Sequence, residues 1–186
     1  MEDEKIIALY WERKQEAIAI TAEKYGHYCS AIASNILQNY EDVEECVNDT
    51  WLGAWQAMPP QKPRVLSAFL GKLTRNLAIN RYRHNTALKR GGGQAAAVLE
   101  ELEELVSGAD NVAEEIDRRE LVQAINDFLC GLSPDKRRIF VCRYWYFESV
   151  TDIATDHNMS ENHVSVLLHR LREKLRKHLR KGGFDI

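Results

Sequence analysis

Proline is scarce in this chain of 186 residues, with four in all, and three of them sit together at Pro59, Pro60 and Pro63. So little proline leaves room for long helices, because each one removes an amide donor and fixes its own φ. Cysteine is also limited to four, Cys29, Cys46, Cys130 and Cys142, with no C-x-x-C and no short metal spacing. They read as reduced, mostly buried thiols of a cytosolic protein, not as a zinc site or a disulfide framework. No run approaches the roughly 18 apolar residues of a membrane span, so no membrane insertion is expected. The opening Met-Glu-Asp-Glu-Lys is acidic and has no apolar stretch behind it, unlike a secretory signal. Catalytic signatures are missing too: no Walker A loop, no H-E-x-x-H, no G-x-S-x-G and no Cys/His pairing of a known kind. The Gly91-Gly92-Gly93 run follows no strand and is not a phosphate loop. The expectation is a protein that is no enzyme and has no catalytic residues, metal or cofactor.

What the chain does have is charge in four blocks of alternating sign. Residues 1–60 hold eleven acids and four bases, and residues 61–90 hold eight bases and no acid. Residues 91–135 hold eleven acids against two bases, and residues 136–186 eleven bases against six acids. The net charge of −3 therefore hides two basic elements joined by an acidic connector. Such a layout suits a polyanion gripped at two places, although charge alone fits two solvated helix faces equally well.

The hydrophobic period is helical throughout, apart from a short aromatic alternation at Tyr144–Phe147. The fold expected is all-α, two small helical domains with a flexible acidic linker. The first domain spans 1–86. Its helices begin at Ile6, run from Ala17 to about Gln38, then from about 41 to 57, and from about 65 to 85 after the proline loop. The linker spans 87–112, with Gly91–Gly93 as a joint and at most a short acidic helix at Glu100–Leu105. The second domain spans 113–186. Ser133-Pro134 marks one helix start, Ser149-x-x-Asp152 a capping box, and Ser160 the start of a last helix from about 161 to 181.

Ser149 to Arg172 has the layout of a helix-turn-helix. Val164, Leu168, Leu171, Leu175 and Leu179 form the apolar stripe of its second helix. Asn162, His163, Ser165, Val166, His169 and Arg170 face elsewhere and suit base edges in a major groove. Arg172 and the bases after it suit phosphates. A plain three-helix bundle with a basic last helix is the rival reading. His163 and His169 lie six apart and share no helix face, which argues against a metal. In the first domain, Arg75–Arg83 is a basic amphipathic segment in which Asn76, Asn80 and Tyr82 could meet unstacked bases while Arg81 and Arg83 hold the backbone. The acids at 41–49 have no His, Cys or third ligand near them and look like a protein-docking surface.

The segment Glu41-Asp42-Val43-Glu44-Glu45-Cys46-Val47-Asn48-Asp49-Thr50-Trp51-Leu52-Gly53-Ala54-Trp55 resembles the core-binding helix of sigma-70 family factors of the small, extracytoplasmic-function type. Phe69-Leu70-x-x-Leu73-Thr74-Arg75-Asn76-Leu77-Ala78-Ile79-Asn80-Arg81-Tyr82-Arg83 looks like the family's promoter-melting and minus-10 helix. Leu132–Phe140 and the helix-turn-helix resemble its second conserved domain, and the Gly-containing acidic linker is similar to that of a subgroup common in Gram-positive bacteria. The resemblance covers nearly the whole chain in the family's order. It implies a bacterial transcription initiation factor that binds core RNA polymerase, on its beta-prime and beta subunits, and directs it to promoter DNA.

By residue, the resemblance implies polymerase binding through Asp42, Glu45, Asn48, Asp49, Trp51 and Trp55. It implies minus-10 reading through Arg64, Phe69, Arg75, Asn76, Asn80, Arg81 and Arg83, with a base captured near Pro63–Ser67. It implies minus-35 reading through Asn162, His163, Ser165, Val166, His169, Arg170 and Arg172, with Arg143 in support. The linker would thread toward the RNA exit path. An inhibitory anti-sigma partner is common in the family, though no residue demonstrates one. Asn48 stands where the family usually has Gln. Ser165, Val166 and Leu167 replace a stretch that often carries Lys or Arg, so no promoter sequence transfers. Two rival functions remain: a helix-turn-helix regulator acting alone, and an interaction protein that never meets DNA.

Overall fold

The computed structural model describes residues 1–88, 94–106 and 115–184. The Gly91–Gly93 joint and residues 107–112 of the expected linker lie outside the described residues. Among those described, all regular structure is helical, and the chain divides into two compact units, Met1–Gly92 and Gly93–Ile186.

The first unit holds α1 (Asp3–Trp11), α2 (Glu16–Ile36), α3 (Tyr40–Ala57) and α4 (Leu66–Leu88). Helices α2, α3 and α4 pack against one another, and α1 lies on α2. Asn39 starts α3 by accepting the Glu41 amide on its side-chain oxygen at 3.1 Å, and Glu41 and Asp42 then complement the helix dipole. The core gathers Ile6, Tyr10, Ala17, Cys29, Ala54, Met58, Leu66 and Leu70. Each large apolar side chain so buried contributes roughly 1.5–3 kcal/mol relative to exposure.

Four buried hydroxyls are kept satisfied. Tyr10 donates to Thr21 Oγ1 at 3.0 Å, and Thr50 donates to Thr74 Oγ1 at 3.1 Å. Thr21 and Thr74 in turn donate to the carbonyls of Ala17 and Leu70, and the one Thr50 proton is shared between Thr74 Oγ1 and the Cys46 carbonyl. The Thr50–Thr74 pair joins α3 to α4 and so fixes which faces of these two helices look outward. Gly71 lets α2 approach α4 closely: a Cβ there would stand 2.6 Å from Tyr28 Oη.

The second unit holds α5 (Gln94–Val106), α6 (Glu115–Cys130), α7 (Pro134–Tyr144), α8 (Val150–Asp156) and α9 (Glu161–Lys181). The capping signals act as their residue types require. Ser149 Oγ accepts the Asp152 amide at 2.9 Å, and Ser160 Oγ accepts the His163 amide at 3.2 Å. Ser133 precedes Pro134 in extended conformation but makes no side-chain cap, so the fixed φ of Pro134 marks that start. Arg137 closes the end of α6 by donating to the carbonyls of Leu129, Cys130 and Leu132. Val164, Leu168, Leu171, Leu175 and Leu179 are all buried, as their spacing predicts.

The aromatic run at Tyr144–Phe147 forms no strand, in keeping with the all-α expectation. Tyr144 ends α7, and Phe147 turns the chain toward α8 at φ 59 with its ring fully buried. Burial of the ring offsets a backbone conformation that bulky residues seldom adopt. The stretch 94–106, expected within a flexible linker, is a helix that packs on α7 and buries Ala95 and Val98. Helix α5 therefore belongs to the second unit.

The described cysteines are free thiols. Cys29 and Cys46 are buried, and burial pushes the Cys46 thiol up to about 11. Cys142 is half-buried, and burial together with a hydrogen bond to Glu148 pushes it up to about 12. Cys130 alone among them is exposed.

The α2–α4 approach carries a prediction. Gly71→Val should drive the Tyr28 ring from its seat and lower stability by roughly 1–3 kcal/mol in urea unfolding. Adding Tyr28→Ala should return part of that loss. A Gly71→Val protein as stable as the parent would refute the close approach.

Candidate nucleic-acid interface

On α4 the exposed positions Lys72, Asn76, Asn80, Arg83 and His84 recur at helical spacing and make one polar, cationic stripe. The other expected minus-10 residues are placed differently. Arg64 is exposed in the loop before α4. Phe69 is half-buried against the core, and burial lowers the pKa of the half-buried Arg75 guanidinium. The loop is held from the α1–α2 corner: Trp11 donates to the Gln61 carbonyl at 3.3 Å. Arg13 donates to the Trp55 carbonyl at 2.8 Å and lies 5.2 Å above the Trp55 ring.

Arg81 turns toward α3. Its guanidinium meets Glu45 at 2.5 Å, and Asp42 and Asp49 at 3.4 Å each. Asn85 donates to the other oxygen of Asp42 at 3.0 Å. A cleft between α3 and α4 is lined by these groups together with Leu77, Asn80 and His84. Hydrogen bonding to Glu45 raises the Arg81 pKa further against the pull of burial, and the same bond holds the Glu45 carboxyl below its usual value. The expected DNA cation and the expected docking acids are therefore partners in one cluster.

The outer face of α3 presents Glu41, Glu44, Glu45, Asn48 and Leu52 to solvent, and Leu52 is 54% exposed. Trp51, expected on this face, is only 7% exposed and belongs to the core. Its spacing from Thr50 and Ala54 puts it on the buried side, where it packs α3 onto the core. Trp55 is half-buried against the same core.

In the second unit, Asn162, His163, Ser165, Val166, His169 and Arg170 are all exposed on α9, opposite the apolar stripe. Thr151 donates to Glu161 at 2.9 Å and ties α8 to the start of α9. Lys174, Lys177, Arg180 and Lys181 continue the exposed cationic side. This edge is polar and cationic, and it follows a short capped helix and a turn, the layout of a helix-turn-helix.

Arg143 and Arg172 are turned inward. Arg143 is 4% exposed and donates to Glu101 at 2.7 Å and to the Glu148 carbonyl at 3.0 Å. Arg172 donates to the other Glu101 oxygen at 2.8 Å and to the Tyr144 hydroxyl at 2.7 Å. Tyr144 itself donates to Glu101 at 2.7 Å. Burial pushes the Glu101 carboxyl up, but the bonds from Arg143 and Tyr144 and the charges of the two arginines outweigh it and hold the carboxyl low. Burial and the bond to Glu101 push the Tyr144 hydroxyl up. Glu101 thus locks α5, α7 and α9 together, a role that its position in an acidic run did not reveal.

Among the described residues no group of His, Cys, Asp or Glu could hold a metal ion, and no helix is long and apolar enough to cross a membrane.

Removing the Glu101 carboxylate leaves Arg143 uncompensated. Glu101→Ala should cost roughly 2–4 kcal/mol of the second unit's stability. Because the folded carboxyl titrates below its unfolded value, its contribution is full above about pH 4.3 and drains away as pH falls. Urea midpoints across that range should drop with acid for the parent and more shallowly for Glu101→Gln. Equal slopes would refute the lock.

The Sigma-70 region 2 family model matches residues 22–87, and the Sigma-70 region 4 model matches residues 123–175, together more than half of the chain. No curated protein matches. A solved structure described as CnrH in complex with the cytosolic domain of CnrY is 20% identical, over 96% of this chain and 97% of that one, with a TM-score of 0.44.

Proposed function

The chain belongs to the sigma-70 family, the transcription initiation factors that take core RNA polymerase to promoters, and from that premise we propose that it is a small factor of the extracytoplasmic-function type. The Gly-Gly-Gly run and its acidic surroundings support a subgroup like that of Gram-positive bacteria. In this reading the outer face of α3 docks on polymerase, with Asn48 and the exposed Leu52 at its centre. The α4 stripe, led by Asn76, Asn80 and Arg83, lies along the separated strand of the minus-10 element. Arg64 and the loop before α4 stand beside it. The exposed edge of α9, from Asn162 to Arg170, reads the minus-35 duplex. Arg143 and Arg172 take part by holding the α5–α7–α9 scaffold, and Trp51 and Phe69 by packing. An anti-sigma factor would act by covering one of these faces.

One observation carries the reading. The unit that matches region 2 has an acidic face and a separate amide-and-base stripe on adjacent helices. A helix-turn-helix regulator acting alone has no use for either. Run-off transcription with bacterial core polymerase and a promoter pool tests it. The expected result is specific initiation that depends on added protein. Occupation of an operator by the protein alone, without initiation, would favour the lone regulator.

Two substitutions refine the assignment. Asn48→Arg with Leu52→Asp, both at exposed positions, should weaken capture of core polymerase about tenfold or more, because charge and an acid replace an amide and an apolar anchor. Unchanged capture would remove the docking face from α3. Arg170→Ala should cost roughly 1–3 kcal/mol of promoter affinity if it touches a base, or lower the salt slope by about 1 if it touches phosphate. A promoter titration at several salt concentrations separates the two, and no change in either excludes Arg170 from the interface.

A further inference from the structure

Arg81 is claimed by two readings at once. It lies on the helix assigned to DNA, yet its guanidinium is spent on carboxylates of the helix assigned to polymerase. The geometry of that clasp is uneven. Glu45 makes the one close contact, while Asp42 and Asp49 stand at 3.4 Å. The Glu45 side chain is 66% exposed, and it shares the solvent face of α3 with Glu41 and Glu44. The carboxylate that holds Arg81 most closely is therefore also one that an approaching cationic surface would meet first.

Arg81 is itself only 20% exposed and Asp42 26%, so the open end of the clasp is Glu45, and a pair with one end in water is weak enough for that partner to exchange. Asn80 and His84 line the same cleft, and both are exposed on α4. A guanidinium released from Glu45 would lie beside them, on the side where the strand is proposed to run. Its long flexible side chain reaches either partner, and it keeps its charge with both.

We infer that the Arg81 clasp is an exchangeable contact: a cationic surface of the polymerase takes the α3 carboxylates and releases Arg81 to the phosphates of the strand along α4. The inference rests on the docking and strand-reading roles proposed above. Its consequence is coupling. Free protein holds Arg81 back from DNA, polymerase lets it go, and by linkage the strand in turn strengthens polymerase binding.

The test uses the full chain and a fluorescein-labelled single-stranded DNA of random sequence at low salt, without polymerase. Glu45→Gln with Asp49→Asn removes two of the three carboxylates of the clasp, the closest among them, and leaves Asp42 alone. Glu41→Gln with Glu44→Gln removes the same charge outside it. The first pair should tighten DNA binding about fivefold more than the second, the scale of one added phosphate contact at low salt. Adding Arg81→Gln should abolish that difference. If both pairs tighten equally, the effect is general electrostatics and the exchange is refuted. A gain that survives Arg81→Gln, or no gain at all, refutes it too. Glu45→Gln alone, at an exposed position, repeats the comparison against Glu41→Gln should the double substitution unfold. Capture of core polymerase and run-off by the parent chain are measured alongside. Failure there sinks the docking and initiation readings, whereas success there with no Arg81-dependent gain sinks only the exchange.

Discussion

A guanidinium taken out of water has to be met by a carboxylate, and this constraint shapes the second unit more than any other. Arg143 is almost wholly withdrawn from solvent beneath the helix-turn-helix. Stranded there it would cost several kcal/mol. The acid that answers it, Glu101, comes from a helix more than forty residues earlier, and its second oxygen takes Arg172 from α9. Helix α9 is thus braced from two sides, by the leucine stripe beneath it and by a carboxylate reached through α5. Two arginines that the family resemblance assigns to DNA hold the exposed edge of α9 in place.

The first unit sets the same chemistry in the open. Arg81 lies part-buried among three carboxylates, but the one it meets most closely, Glu45, stands in water, so that pairing holds less firmly than Arg143 with Glu101. What orients α3 against α4 is the buried hydroxyl pair Thr50–Thr74 with the apolar core around it. That pairing sends Trp51 inward, Glu45 and Leu52 outward on one helix, and Asn76 and Asn80 outward on the other. Two chemically different faces, one acidic and one of amides and bases, follow from one internal alignment.

Much of this was legible in the sequence, and the reasons are local. Pro134, the Ser149 and Ser160 caps and the 164–179 stripe act within a few residues, so spacing reveals them. The long helices of the first unit follow from their period and from the proline cluster that ends α3. Helix α5 was harder to read, because its buried anchors include only Ala95 and Val98, and its strongest tie is Glu101 to residues 42 and 71 positions away. Residue type shows that Arg81, Arg143 and Arg172 are cationic but not what neutralises them. Trp51 was legible from its spacing, which put it on the apolar side of α3, whereas the family motif names a helix and leaves open which of its side chains face in. The cap of α3 by Asn39 could have been found, since Asn before Tyr-Glu-Asp is a ready acceptor.

The cysteines of the chain are unequal in reach. Cys29 and Cys46 are closed off and Cys142 is half-shielded with its thiol pushed up, whereas Cys130, at the end of α6, stands in solvent. A maleimide dye applied briefly at neutral pH would attach there in preference to the other three. That gives a spectroscopic handle on the helix-turn-helix unit with no engineering of the chain, well away from the exposed edge of α9 in sequence and outside every residue assigned to a partner.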